Sequence, residues 1–319
     1  MNPDFKDTRC VVTGGAGVIG RQLINIISEA GGTVLSIDKN PLPKAINAAG
    51  ITHITKDLAT DSIDEIEAFQ PEVMFHLAAA FERSKESPEF WGVNWKDNTL
   101  LSHKIADAAS RVKTLSVFIF ASSYLIYSPA LYMSDSLRPD PVYLREDSPV
   151  AARNVTGASK YYTEKELDFI MEYLRPDLRA VHARIYRVYG KGSRDIISRW
   201  VRAALNGAPL TAYNKDNRFD YIYARDVAHG LYRLALAEGA AGVVNLGSGQ
   251  SHSVGDVLRA LSCLIDVKII DRGSTELYEN STADIGLLTN LTNWHPPTTL
   301  SQGIEEIIQY EREVLKAAP

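Results

Sequence analysis

The chain has 319 residues and a net charge of −5, with 45% apolar and 23% charged residues. This composition supplies enough apolar surface for a core and excludes a disordered or collagen-like chain. The length favours about two domains of ordinary size. The acidic balance argues against a broadly basic surface for nucleic acid, so we expect no nucleic-acid partner.

Several other classes of protein are excluded by local pattern. No run of residues approaches the ~18 apolar positions of a membrane span, and the N-terminus lacks the pattern of a signal peptide. The two cysteines, Cys10 and Cys263, belong to no CxxC pair, and the histidines are scattered, so we expect no metal site. These features predict a cytoplasmic protein that does not associate with a membrane.

Short apolar runs alternate with longer helical patterns through the first 185 residues. This alternation predicts an α/β fold with a doubly wound, parallel Rossmann sheet. The predicted elements in chain order are strand Arg9–Thr13, helix Val18–Ala30, strands Thr33–Asp38 and Ile51–Asp57, helix Asp61–Phe69, strand Val73–Leu77, helix Pro88–Ser110, strand Leu115–Ala121, helix Gly157–Leu174 and strand Leu178–Ile185.

The regular alternation of strands and helices ends after Tyr186. The longest predicted loop is the polar, proline-containing span Ser128–Arg153. We expect residues 1–185 to form the Rossmann domain with the catalytic helix. Residues 186–319 are expected to form mainly a smaller lobe that binds substrate, with parts returning to the sheet. Its predicted elements are helices Asp195–Asn206, Asp226–Glu238, Ser253–Leu264 and Leu300–Lys316, and strands Val243–Leu246 and Val267–Ile270.

A glycine-rich turn follows the first strand and opens the first helix, with Gly14, Gly17 and Gly20 spaced as GxxGxxG. Such a turn lets a pyrophosphate approach the backbone, and the helix N-terminus, including Val18 and Ile19, offers free amides. The second strand ends in Asp38, which can accept hydrogen bonds from ribose hydroxyls and repels a 2′-phosphate. The pattern therefore predicts NAD rather than NADP, a preference that the adjacent cation Lys39 weakens.

Two more strand ends are candidate cofactor contacts. Asp57 and Leu58 follow the third strand, where a side chain can reach an adenine, although an exposed turn is the alternative. Small residues after the fourth strand would let the cofactor lie against the backbone, although simple packing at a helix start explains them equally well. These small residues are Ala78, Ala79 and Ala80.

At this point the chain resembles the extended short-chain dehydrogenase/reductases, in the branch of NAD-dependent sugar-nucleotide epimerases and dehydratases. The resemblance covers nearly the whole chain. It implies that Asn94 and Tyr186 lie beside the cofactor, and that a nucleotide-linked sugar is the substrate. It rests on TGGAGVIG at 13–20, FHLAAA at 75–80, Asn94, FIFASSYLIY at 118–127, GASK at 157–160, RVYG at 187–190, FDYIYARDVA at 219–228, VVNLGSG at 243–249 and WHPPTTLSQGI at 294–304.

The resemblance also implies a catalytic serine or threonine followed by a YxxxK motif, whose tyrosine exchanges a proton with the sugar. The serine falls on Ser123, with Ser122 as a rival and a turn cap as the alternative role. The lysine falls on Lys160, which would bind nicotinamide ribose. The tyrosine position, however, is Thr156.

A threonine hydroxyl has no accessible pKa near neutrality, so Thr156 cannot act as a tyrosinate-like base. Either threonine is the native residue here, or it replaces a native tyrosine. Tyr161 and Tyr162 lie on other faces of the helix and cannot replace the missing phenol. A bound water could fill the gap, or a tyrosine of the neighbouring loop could reach in: Tyr124, Tyr127, Tyr132 or Tyr143.

The substrate side departs from the family as well. An asparagine expected after the sixth strand is Arg187, and an arginine expected before the DYIY strand is Phe219, with Arg218 one residue away. No acidic residue follows Ser123, because Tyr124 stands there, which argues against 4,6-dehydration. The candidate substrate contacts are Ser122, Ser123, Tyr124, Arg187, Arg194 and Arg218, and with Arg184 the arginines could form an anion site.

These observations predict an NAD-dependent enzyme that modifies a nucleotide-linked sugar, with 4-epimerisation through a transient keto sugar preferred. A dehydrogenase or ketoreductase is an alternative, as is a non-catalytic NAD-binding protein that lost its tyrosine. Trp91 and Trp95 are four residues apart on the long helix. The resemblance implies that this helix pairs with its copy in a homodimer, and packing on the helix's own sheet is the alternative.

Overall fold

The computed structural model describes residues 5–43, 46, 49–81, 87–273 and 277–317. Within these ranges strands and helices follow each other along the whole chain. The strands are β1 (Arg9–Thr13), β2 (Thr33–Asp38), β3 (Ile51–Thr55), β4 (Val73–His76), β5 (Val117–Ser123), β6 (Met133–Ser134), β7 (Tyr143–Leu144), β8 (Arg179–Ile185), β9 (Arg187–Tyr189), β10 (Leu210–Ala212), β11 (Arg218–Tyr223), β12 (Gly242–Leu246), β13 (Ser251–Ser253), β14 (Ile269–Asp271) and β15 (Tyr278–Ala283).

Two of the helical stretches contain π-helical turns, at Trp95–Leu100 and Ile170–Leu174, and a 3₁₀ turn at Tyr124–Ile126 follows β5. No helix in the described part of the chain is both long and apolar enough to cross a bilayer. The α-helices are α1 (Gly20–Glu29), α2 (Asp64–Phe69), α3 (Pro88–Asn94), α4 (Leu101–Arg111), α5 (Pro129–Tyr132), α6 (Val155–Phe169), α7 (Ile196–Leu205), α8 (Ala224–Leu236), α9 (Val254–Leu264), α10 (Gly286–Thr292) and α11 (Leu300–Ala317).

The main sheet has seven strands in the order β12-β8-β5-β4-β1-β2-β3, and all of its strand pairs are parallel. The strand order reverses beside β1, which pairs with β2 on one side and β4 on the other. Ligands of open parallel sheets bind at the carboxyl ends of the strands, at such a reversal. Thr13, Asp38, His76, Ser123 and Ile185 all end their strands at this edge.

Both faces of the sheet are covered, and β1 shows why its residues form an unbroken apolar run. Cys10 and Val12 pack on one side with residues of α1 and α8, whereas Val11 packs on the other side with residues of α2, α4 and α6. The structure therefore confirms the predicted doubly wound α/β fold.

A second sheet forms around β11, which pairs with β9, β13 and β15. Helices α7, α9 and α11 cover it through a separate apolar cluster that includes Ile197, Val257 and Ile304. One strand of the C-terminal half, β12, leaves this region and extends the main sheet beside β8.

The predicted bounds of β1 and β2 match the structure, and two other predictions need correction. The predicted loop Ser128–Arg153 contains α5, β6 and β7, and the last two pair with β15. These strands are two residues long, too short for a periodic signal. The helix predicted from Gly157 begins at Val155, because the Asn154 side chain caps it by accepting from the Gly157 amide at 2.9 Å.

Candidate active site

The glycine-rich turn lies against the end of β4. Gly14 has a φ of +76°, and a Cβ on it would stand 2.7 Å from the Ala78 amide nitrogen. A Cβ on Gly20 would stand 2.2 Å from the Gly14 carbonyl oxygen. Gly14 therefore makes a close backbone contact with the residues after β4, and Gly20 makes one with the turn itself, and a side chain at either glycine would disturb its contact.

The start of α1 presents free backbone donors. Within the described residues, the amides of Val18 and Ile19 donate to no protein acceptor. Asp38 lies beside the turn: one carboxylate oxygen accepts from the Ala16 amide at 3.1 Å and the other from the Asn40 amide at 2.9 Å. These residues fit a dinucleotide, with its pyrophosphate at the helix N-terminus and its adenosine ribose at Asp38.

The other predicted cofactor contacts surround this turn. Lys39 pairs with Asp97 at 3.5 Å, and Asp57 pairs with Lys96 at 3.4 Å. The Leu58 side chain is buried in the core. Asn98 bonds both the amide and the carbonyl of Ala80, at 2.7 and 2.9 Å, so a side chain of the π-helical turn fixes the backbone after β4.

Both polar atoms of the Asn94 side chain form hydrogen bonds with other protein groups. Its side-chain oxygen accepts from Asn98 at 2.6 Å and from the Ser159 hydroxyl at 3.2 Å, and its amide donates to the Val155 carbonyl at 3.3 Å. The residue therefore joins the long helix to the start of α6. The side chains of Ala78 and Ala80 are half-buried, that of Ala79 is exposed, and Ala78 packs against the apolar core.

A buried chain of hydrogen bonds runs beneath the turn. The His76 ring contacts the Thr13 hydroxyl at 2.7 Å and the Ser102 hydroxyl at 2.9 Å. Burial, together with the nearby Lys160, lowers the pKa of His76 to about 3. His76 is therefore neutral at physiological pH and serves as an uncharged link between β1, β4 and α4.

The three candidate catalytic residues lie on β5 and α6, which are in contact. Gly157 packs so closely on the turn after Ser123 that a Cβ on it would stand 2.5 Å from the Leu125 carbonyl oxygen. The Ser123 hydroxyl accepts from the Leu125 amide at 3.2 Å, so it caps this turn. Thr156 is 4% exposed, and its hydroxyl has no protein partner within the described chain.

Lys160 lies one helical turn after Thr156 and is 6% exposed. Its ammonium is 4.6 Å from the centre of the Phe120 ring and has no hydrogen-bond partner among the described residues. Burial lowers the pKa of Lys160 to about 8, although the carboxylate of Glu164 acts in the opposite direction. An amine with this pKa can exchange a proton near neutral pH.

Glu164, one turn after Lys160, binds two further strand-end residues. It accepts from the Ser122 hydroxyl at 2.5 Å and forms a bidentate pair with Arg184, at 3.0 and 2.8 Å. Both members of the Glu164–Arg184 ion pair are buried. Ser122 therefore faces α6, and Arg184 stacks over the Tyr127 ring at 4.7 Å.

None of the neighbouring tyrosines has the environment of a base. The Tyr127 hydroxyl donates to Asn245 at 2.7 Å, and the Tyr124 hydroxyl lies 3.4 Å from Glu279. Burial raises the pKa of Tyr124, Tyr127 and Tyr132. Tyr143 is 57% exposed on β7.

The structure does not bring the four candidate arginines together. Arg184 is paired with Glu164, Arg194 is exposed, and Arg218 donates to the Ser251 carbonyl at 3.1 Å. Arg187 lies just beyond the end of β8, stacked 3.7 Å from the centre of the Phe219 ring. Tyr186, the residue before it, stacks on Tyr124 at 5.0 Å.

Relatives with known activities match the chain over nearly its whole length. The UDP-N-acetyl-alpha-D-glucosaminuronate decarboxylase of Bacillus cytotoxicus is 26% identical, covering 96% of this chain and 98% of the relative. The UDP-glucose 4-epimerase of Mycolicibacterium smegmatis is 25% identical, covering 95% and 98%. The structure of MoeE5 in complex with UDP-glucose and NAD has a TM-score of 0.82 at 23% identity, covering 96% and 99%.

A model of the NAD dependent epimerase/dehydratase family matches residues 10–247. The chain belongs to this family. Membership confirms the predicted enzyme class and, because the family is NAD-dependent, the predicted cofactor. The relatives include epimerases and decarboxylases, so the family alone does not single out 4-epimerisation.

Sequence reasoning about this family member missed several polar residues that the structure places near the candidate site. They come from distant parts of the chain or from a helix face that carries no motif of its own. Glu164 was detectable as the residue one turn beyond Lys160, whereas nothing local marks the others. Among the described residues no group of histidine, cysteine and carboxylate side chains could hold a metal. The missed residues are Asn98, Arg153, Glu164 and Glu279.

Proposed function

We propose that the chain is a nucleotide-sugar 4-epimerase that works through a transient 4-keto sugar. The observation that supports this proposal is that Ser123, at the carboxyl end of β5, lies beside the start of α6, which carries Thr156 and Lys160. The dinucleotide cradle would be formed by the turn Gly14–Gly20 and Asp38. Residues 186–319 would mainly supply the substrate-binding lobe.

When bound, NAD supplies the group that takes and returns a hydride at one sugar carbon. The Ser123 hydroxyl is suited to bond the reacting sugar oxygen. Lys160 would bind the nicotinamide ribose and, with a pKa of about 8, accept and return the sugar's hydroxyl proton. Because threonine is shorter than tyrosine, this proton would pass through the Thr156 hydroxyl or a water beside it.

The first test is a substrate panel of UDP-, GDP- and dTDP-hexoses given to NAD-loaded protein, with the sugar products identified by NMR. Inversion at C4 without accumulation of NADH supports the epimerase. Stoichiometric NADH would instead identify a dehydrogenase. Tight binding without any turnover would identify a non-catalytic NAD-binding protein and overturn the proposal.

The role of position 156 is tested by three variants. If its hydroxyl relays the proton, Thr156→Val should lower kcat by about 10²–10⁴-fold, the usual size of an acid–base contribution. Thr156→Ser should stay within about tenfold of wild type, because it keeps the hydroxyl. Thr156→Tyr tests whether a catalytic tyrosine has been lost at this position. A large gain in activity would show that it has, whereas unchanged or reduced activity supports a proton path that uses the threonine.

We further propose that the enzyme is a cytoplasmic homodimer. Trp91 and Trp95 are 54% and 58% exposed, so they do not pack on their own sheet. The neighbouring α6 and its π-helical extension also expose apolar side chains, at Phe169, Tyr173 and Leu174. An exposed apolar face that extends over two adjacent helices suits contact with a second copy of the chain. The exposed, unpaired Cys263 fits a reducing compartment.

Light scattering after size-exclusion chromatography tests the dimer. The wild type is expected to elute with twice the mass of the chain, and Phe169→Lys to shift it toward one chain mass. Leu264→Lys is the matched control, since Leu264 is an exposed leucine on α9, away from this face. A monomeric wild type would refute the homodimer.

A further inference from the structure

The substrate side holds a cluster of charged side chains with an excess of positive charge. We define the Arg187 cluster as Arg153, Arg187, Glu279, Tyr124 and Phe219. Glu279, whose side chain is 4% exposed, lies 2.6 Å from Arg153 and 3.4 Å from Arg187. Two guanidiniums therefore share one carboxylate, and the shorter contact belongs to Arg153.

Arg187 is the less satisfied of the two arginines. Its only charged partner in the described chain is Glu279, at 3.4 and 3.5 Å, distances at which a hydrogen bond is weak. Its Nε atom is buried and has no hydrogen-bond partner there. A buried guanidinium nitrogen without an acceptor is costly, which points to an acceptor supplied by a ligand.

The guanidinium is also held in place for such a ligand. It lies 3.7 Å from the centre of the Phe219 ring, a stacking geometry that fixes its plane. Its side chain remains 36% exposed, so one face can be reached. Arg187 directly follows Tyr186, whose ring stacks on Tyr124, the residue after Ser123.

We propose that Arg187 is the oxyanion-binding residue of the substrate pocket and that Glu279 and Phe219 hold it in position. A planar guanidinium binds phosphate and carboxylate oxygens alike. The oxyanion would be either the diphosphate of a nucleotide sugar or a carboxylate on its sugar ring. This inference rests on the proposed function for the identity of the ligand, but the anion site itself does not depend on turnover.

Calorimetry of NAD-loaded protein with inorganic pyrophosphate, UDP-glucose and UDP-glucuronate tests the proposal. Arg187→Gln is expected to weaken binding about 10- to 100-fold, the effect of losing hydrogen bonds to a charged group. Equal losses for pyrophosphate and both sugars identify the diphosphate as the ligand. A loss confined to UDP-glucuronate identifies the carboxylate. Arg187→Lys should recover part of the affinity because it keeps the charge.

The matched control is Arg259→Gln, which removes an arginine of α9 that is 74% exposed and paired with Asp256. It should leave all three affinities unchanged. Unchanged binding in a folded Arg187→Gln protein, or equal losses in both variants, would overturn the anion site. Binding of pyrophosphate that requires Arg187, together with no binding of any nucleotide sugar, would overturn the proposed function and keep the site. If the wild type binds none of the three, both fail.

Discussion

The proposed cofactor side of the site consists mainly of backbone and short side chains, whereas the proposed substrate side consists of arginine, glutamate and tyrosine. Around the cofactor turn, the buried Thr13, His76 and Ser102 satisfy one another. On the substrate side, Tyr132, Tyr186 and Arg187 each bury a polar atom without a partner in the described chain. Arg21 and Asp97, near the cofactor turn, also bury one such atom each, so the two sides differ in the kind of side chain and not in whether buried atoms lack a partner.

This contrast indicates how the two sides achieve specificity. The proposed cradle of amides and glycines would hold the same cofactor whatever the sugar. Long polar side chains on the substrate side have hydrogen-bonding atoms without a protein partner, and the correct substrate would supply that partner. A ligand that leaves these atoms unpaired binds less tightly. The substrate side is thus expected to decide which sugar the enzyme uses.

The largest expected effect comes from the Glu164–Arg184 ion pair, which lies between the two sides. Glu164→Gln leaves the buried Arg184 without its countercharge and should lower the free energy of unfolding by about 3–5 kcal/mol. Glu67→Gln, which breaks an exposed pair with Arg111, should cost at most about 1 kcal/mol. Denaturant unfolding measures both. Similar small losses in the two variants would show that the pair does not brace the site.

The second prediction concerns Lys160, which both sides share. Because burial lowers its pKa from 10.5 to about 8, the folded state disfavours the ammonium. Lys160→Met should therefore be more stable than wild type at pH 7, by about 3 kcal/mol. Between about pH 8 and 10.5 the unfolded wild type binds more protons than the folded wild type, so the stability of the wild type rises with pH. The stability difference in favour of Lys160→Met therefore disappears over this range.

Unfolding curves of both proteins across this pH range test the prediction. Lys165→Met is the control, since Lys165 is half-exposed and paired with Asp168, a contact that raises its pKa. Its substitution should bring no stabilisation at pH 7. A constant difference between wild type and Lys160→Met from pH 7 to 10.5 would show that Lys160 is not a low-pKa amine.

The third prediction tests the rigidity of the cofactor side. Gly20→Ala forces a Cβ to within 2.2 Å of the Gly14 carbonyl, so the turn must shift. We expect a loss of about 1–3 kcal/mol in stability and at least about a tenfold loss in NAD affinity. Gly92→Ala, whose Cβ meets nothing within 4 Å, should stabilise α3 slightly and leave NAD affinity unchanged. Unchanged NAD binding in Gly20→Ala would contradict the close-contact explanation.

The same contrast explains what could be predicted from the sequence. The fold and the cradle follow from local patterns: buried strands, a glycine turn and a strand-end aspartate lie within Arg9–Asp38. The Arg187 cluster does not, because Arg153 and Glu279 are 126 residues apart in the chain, and Phe219 joins them only through the pairing of β11 with β15. The residues of such a cluster have no regular spacing along the sequence that could reveal it. Arg187 was identified only because it departs from the family's asparagine.

The smallest expected effect concerns the choice between NAD and NADP. Asp38 orders the turn through the Ala16 and Asn40 amides and would repel a 2′-phosphate, while Asp97 holds the adjacent cation Lys39. Asp38→Asn should lower NAD affinity by about tenfold, or about 1.4 kcal/mol, and NADP affinity less. Adding Asp97→Asn should release Lys39 and raise NADP affinity further, because the free cation can then pair with the phosphate.

Titration of each cofactor into the single and double variants measures the ratio of the two affinities. Asp107→Asn, an exposed aspartate of α4 away from the turn, should leave that ratio at the wild-type value. If the ratio is the same in Asp38→Asn as in wild type, the carboxylate does not discriminate, and cofactor choice would rest on the shape of the turn alone. If only the double variant gains NADP affinity, the discrimination lies in Asp97, whose carboxylate holds the Lys39 cation and keeps it from pairing with the 2′-phosphate.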